Sequence, residues 1–141
     1  MNGEREVRLT IIRSIRDHLQ DPTAPTTWCG CDLDFAGAVF DGGDFIRATF
    51  SGGVVEFFIA TFSDSGVAFG GATFSGGTVH FSRSSFSGST VAFDGATFSG
   101  ATVTFDGATV SGGSVEFTDA RIHAEASISW GPFLAIPVNQ P

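Results

Sequence analysis

Cys29-Gly30-Cys31 is the one cysteine pair of the chain, and His18, His80 and His123 are its three histidines. Thiolates and imidazoles together can hold zinc, but such sites use a second cysteine pair or histidines at set spacing. Neither is present, so the pair reads as small residues beside the first repeat and no metal site is expected. Ser and Thr are abundant, yet no Ser sits in a Gly-x-Ser-x-Gly elbow that would expose a nucleophile. The pairs Gly52-Gly53 and Gly76-Gly77 recur with a fixed period, so they mark corners and not a phosphate loop. No catalytic residue and no cofactor site emerges, and the expectation is a protein without enzymatic activity.

The elements that must carry these residues follow from an unusual composition. The 141 residues suit one domain, and they include 19 Gly and 16 Phe but no Tyr and no Lys. Such a skew signals a repeated template. An apolar ladder runs Phe35, Phe40, Phe45, Phe50, Phe57, Phe62, Phe69 and Phe74, then Phe81, Phe86, Phe93, Phe98, Phe105, Val110, Phe117 and Ile122. Its steps are three of five residues, then alternately seven and five; only Phe58 and Phe133 stand off it. From Val55 onward, Val or Ala lies two residues before each ladder position, as in Val55, Ala60, Val67, Ala72 and Val79, with Ser84 in one place. Residues two apart share a face of an extended strand, so both point inward and the residue between points out. Gly, Ser, Thr and Asp between the triplets suit corners.

Short extended sides joined by polar corners predict an all-β solenoid with stacked Phe rings inside. Ala38-Val39-Phe40-Asp41-Gly42, Ala48-Thr49-Phe50-Ser51-Gly52, Ala72-Thr73-Phe74-Ser75-Gly76 and Ala96-Thr97-Phe98-Ser99-Gly100 resemble the units of the pentapeptide-repeat family. The resemblance covers residues 31 to 122 and implies a right-handed, four-sided β-helix. The departure from that pattern is the pair of extra residues in every second unit after Phe50, which enlarges two opposite corners. Each coil then comprises two five-residue and two seven-residue steps. A coil of half that length would have to hold two Phe, a Val and an Ala in its interior, which the layer spacing of about 4.8 Å does not accommodate. Sixteen ladder positions then make about four coils. A Tyr hydroxyl inside such a stack would have no partner, which accounts for the absence of Tyr.

Residues 1–27 form an expected N-terminal segment, 28–126 the solenoid and 127–141 an apolar, Pro-containing cap or tail. Over residues 4–20, Val7, Ile11, Ile15 and Leu19 recur every fourth position with Ile12 beside them, the stripe of a helix that caps the first coil, continues an upstream domain or pairs with a partner helix. Pro22 and Pro25 end it. Trp130 and Phe133 break the repeat and either fold over the last coil or join chains.

Fifteen acids against seven bases give a net charge of −8, which argues against phosphate binding and so against direct nucleic-acid contact. No apolar run approaches the roughly 20 residues of a membrane helix, and the first residues lack a signal-peptide core; membrane insertion is not expected and the cytoplasm is the expected location. The partner expected is a protein, its identity not written in the sequence, or a second copy as a homodimer or end to end. Phe58 and Ile59 stand where other corners read Gly70-Gly71 or Asp106-Gly107, so with Trp130 and Phe133 they are the candidate partner contacts. The resemblance also implies an alternative, an acidic DNA mimic acting on gyrase or another topoisomerase: residues 31–126 hold 11 acids, Asp41 and Asp64 among them, and 3 bases. The outward columns show no continuous acidic row, which favours an interaction scaffold.

Overall fold

The computed structural model describes residues 2–133 except 22, 26, 41, 64–66, 88–89 and 113, with helix side chains from Val7 onward apart from that of residue 8. Asp41, Asp64 and the apolar stretch 134–137 of the expected tail lie outside the described residues.

Among the described residues a single helix, α1 (Asn2–Asp17), precedes fifteen short strands. In chain order these are β1 (Leu33–Asp34), β2 (Val39–Phe40), β3 (Gly43–Asp44), β4 (Thr49–Glu56), β5 (Thr61–Ser63), β6 (Val67–Ala68), β7 (Thr73–His80) and β8 (Ser85–Ser87). They continue as β9 (Thr90–Ala92), β10 (Thr97–Phe98), β11 (Thr102–Thr104), β12 (Thr109–Ser111), β13 (Ser114–Glu116), β14 (Arg121–Ile122) and β15 (Ser127–Ser129). These strands pair in parallel throughout. Thr49 pairs with Thr73, Thr73 with Thr97 and Thr97 with Arg121, the same sequence offset that separates Ser85 from Thr109 on another side. That register is the full coil of two five-residue and two seven-residue steps, and it rules out a coil of half the length. The first turn is shorter, Val39 pairing with Thr61, because its opening steps are all of five residues.

The chain is a four-sided β-solenoid of four coils, and β15 begins a fifth by pairing with β11. Two kinds of corner join the sides. A five-residue step closes with a β-turn, as where the Ala108 amide donates to the Phe105 carbonyl at 3.1 Å. A seven-residue step can instead keep the strand unbroken: β4 and β7 each run through two sides, with the pairing shifted between Ser51 and Val54. Backbone lies on backbone there, for a Cβ at Gly77 would collide with the Gly53 carbonyl, so the corner admits no side chain.

Each Phe of the ladder lies flat on a counterpart one coil away. Phe57 and Phe81 have centroids 4.8 Å apart with planes 1° from parallel, and Phe81 and Phe105 are 5.0 Å apart at 9°. Neighbouring stacks meet edge to face, as Phe81 and Phe93 do at 5.9 Å and 88°, the arrangement the ring quadrupole favours. Phe45, Phe57, Phe62, Phe69, Phe81, Phe93, Phe98 and Phe105 are wholly buried, with Val55, Val79 and Val103 and Ala60, Ala72 and Ala96 filling between them.

The ends depart from the ladder. Val110, expected inside, is 41% exposed: β12 is the last strand of its side, with all three residues exposed. Below that stack of Phe40, Phe62 and Phe86 the ring of Phe133 turns in, edge-on to Phe86 at 6.0 Å and to Phe105 at 5.2 Å. At the other end α1 packs on β3, with Ile12 and Leu19 buried and Ile15 against the core. An ion pair between Arg16 and Asp44 at 2.6 Å pins it. The helix covers the coil with its C-terminal half only, so Val7 and Ile11, read as part of one capping stripe, are 58% and 54% exposed.

Candidate functional site

Phe58 and Ile59 form the turn between β4 and β5, where the Ala60 amide donates to the Phe57 carbonyl at 3.1 Å. The second residue of such a turn needs a positive φ, which glycine adopts without cost. Gly37 fills that place one coil earlier at φ 73° and Gly107 two coils later at φ 73°. Ile59 fills it at φ 53°. A β-branched residue in the left-handed region is a true outlier, and the left-handed conformation costs an L-residue roughly 1–2 kcal/mol.

The side chains of this corner gain little burial in return. Phe58 is 38% and Ile59 51% exposed. The Ile59 amide is satisfied by the Ser82 carbonyl at 3.1 Å, so the strain is held by the ladder of the next coil. Arg83 stands in the same left-handed place at φ 58°, and its Cγ would lie 3.1 Å from a Cβ added to Gly107. A side chain at this position therefore leans over the following coil.

Trp130 and Phe133 sit elsewhere. Trp130 lies edge-on to Phe117 at 5.3 Å, Phe133 is 6.1 Å from the same ring, and both are half-buried over the last coil. The structure thus places two of the expected contact residues on a side corner and two at the C-terminal end, and does not bring the pairs together. Cys29 is buried with its thiol against the Leu19 carbonyl at 3.3 Å, while Cys31 is exposed. Among the described residues no group of three His, Cys, Asp or Glu side chains is placed to hold a metal.

One apolar feature escaped the sequence reading. A groove lined by Ile11, Ile15, Phe35, Val39 and Phe40 separates α1 from the first coil. Val39, 60% exposed, stands above Thr61, Ser85 and Thr109 in an otherwise hydroxylated column. That odd Val was the available signal.

Among the described residues no helix is long and apolar enough to cross a membrane. Comparison with protein-family models, curated proteins and solved structures finds no match to this chain.

Proposed function

We propose that this chain is a cytoplasmic, non-enzymatic interaction scaffold of the pentapeptide-repeat type, binding a protein partner through the Phe58–Ile59 corner. The observation that carries this reading is Ile59: an exposed apolar side chain kept in a backbone conformation that favours glycine. Strain of this kind collects where function holds it, and exposed apolar surface is where proteins meet. The pentapeptide-repeat assignment is supported by four-sided coils with Ala, Val or Ser two places before each ladder position from Phe57 onward.

The test is the pair Phe58→Ser and Ile59→Gly. Both variants keep the far-ultraviolet spectrum of the parent, and both lose a partner isolated by cross-linking to the unaltered chain. Full retention of that partner by both variants overturns the reading. The DNA-mimic alternative draws on the acidic balance, but one outward column runs Asp34, Glu56, His80 and Thr104, without a continuous row of charge. Gyrase supercoiling separates the two: a scaffold leaves it unchanged and a mimic lowers it as protein is added.

A further inference from the structure

We infer that the free edge of β12 is a strand-addition site whose occupant is the chain's own Leu134-Ala135-Ile136, a segment outside the described residues. β12 ends its sheet: β8 lies on one side of it and, among the described residues, no strand lies on the other. Thr109, Val110 and Ser111 are all exposed, whereas Phe62 and Phe86, at the centres of β5 and β8, are buried. Such an edge offers backbone amides and carbonyls to an extended segment.

The order of the chain names the occupant. Four residues separate β1 from β2, β4 from β5, β7 from β8 and β11 from β12, and each second strand joins the sheet that ends in β12. β15 repeats the register of that series, with Val103 against Ile128. The same four residues on from Ser129 lead to Leu134. The corner between them is already made. The Phe133 amide donates to the Trp130 carbonyl at 3.0 Å, as the Ala108 amide does to Phe105 at 3.1 Å. Its left-handed residue, Gly131 at φ 56°, comes one place earlier than Gly107 does in its turn, since Pro132 holds φ negative. Phe133 thus follows Ala60, Ser84 and Ala108, and Ala135 falls in register with Val110. The Ala-x-Phe of the upper coils becomes Phe-x-Ala, the large and small side chains exchanging places, and the Phe133 ring already reaches Phe86. Pro137 has no amide and ends the strand.

The neighbouring side shows the bonds such a strand makes, for the amides of Arg121 and His123 donate to the carbonyls of Ala96 and Phe98. By that pattern Leu134 and Ile136 donate to the carbonyls of Ala108 and Val110. The Val110 amide donates to the Leu134 carbonyl, and the Ala135 amide points away.

Amide hydrogen exchange, followed by nuclear magnetic resonance on the full chain, tests this. Leu134, Ile136 and Val110 should exchange on the order of a hundredfold more slowly than Ala135, Asn139 and Gln140. Fast exchange at Leu134 and Ile136 overturns the inference. An added disulfide separates the chain's own segment from that of a second copy. In a Cys31→Ser background, Ser111→Cys and Ile136→Cys fall on paired residues of adjacent strands, about 4.8 Å apart and within reach of a disulfide. Oxidation should give a cross-linked monomer. A disulfide-linked dimer would place a second copy's tail on the edge and overturns the inference. So does failure to oxidise in a chain whose far-ultraviolet spectrum is unaltered.

Discussion

The hydroxyl of Ser84 donates a 2.6 Å hydrogen bond to the carbonyl oxygen of Phe57, one coil earlier, inside the solenoid. Ser84 is fully buried in a column otherwise filled by Ala60 and Ala108. The Phe57 carbonyl also accepts from the Ala60 amide, so it keeps a partner if the hydroxyl is removed. Ser84→Ala should therefore lower stability by only about 1 kcal/mol. Ser84→Val, which adds volume to a filled column, should cost more, on the order of 1–3 kcal/mol. Thermal unfolding of the two variants checks the order.

Phe81 lies at the centre of the stack, flat against Phe57 and Phe105 and edge-on to Phe69 and Phe93. Phe81→Ala should cost about 3–5 kcal/mol. Phe81→Tyr changes volume little but buries a hydroxyl among rings, so it too should be strongly destabilising. Denaturant titration measures both. A Tyr variant as stable as the parent would show that the interior can supply a polar partner.

At the Phe58–Ile59 corner, Ile59→Gly removes the left-handed penalty of roughly 1–2 kcal/mol and adds back roughly 0.5–1 kcal/mol of chain entropy. The expected outcome is a higher melting temperature. The reverse change at the equivalent place, Gly107→Ala, should lower it, since φ is +73° and the Arg83 stem already fills the space. Arg83→Gly in the same chain should restore part of the loss.

Hydrogen bonds from the Thr23 side chain and amide hold the Asp21 carboxyl below its usual value. A folded value below the unfolded one contributes stability above the unfolded pKa and loses it as pH falls through the folded one. The Asp21–Thr23 turn should thus loosen in acid, below a pH of about 4. Thr23→Val should move the Asp21 titration, followed by carboxyl chemical shift, back towards the ordinary aspartate range.

The regular interior was legible because its signal is periodic. Alternating five- and seven-residue steps between Phe positions, with Val or Ala two places earlier, fix which side chains point inward. They also set the length of the coil, as the pairing of Thr49 with Thr73 confirms. What periodicity could not carry were the ends and the corners. Val110 follows the ladder in sequence but has no coil beneath it, and Phe133 fills the end from outside the repeat. Val7 and Ile11 match Ile15 and Leu19 in spacing, yet only the second pair meets the coil. Spacing names a helical face, whereas the docking angle decides how much of it is covered. The oddity of Phe58–Ile59 was visible as large residues in a small corner; the left-handed backbone that gives it meaning was not.

The lean of Arg83 over Gly107 gives the stack a reading direction. Each coil's corner residue restricts what the next coil can place beneath it, while leaving the preceding coil free. Duplication of one whole turn, Ser85 to Ala108, preserves that dependency, because Gly107 stays beneath Arg83 and Thr109 succeeds Ala108 as Ser85 would succeed it in the inserted copy. The chain is in that respect a ratchet, extensible by whole turns near its middle in increments of about 4.8 Å, with a length set by its terminal pieces and not by its repeat.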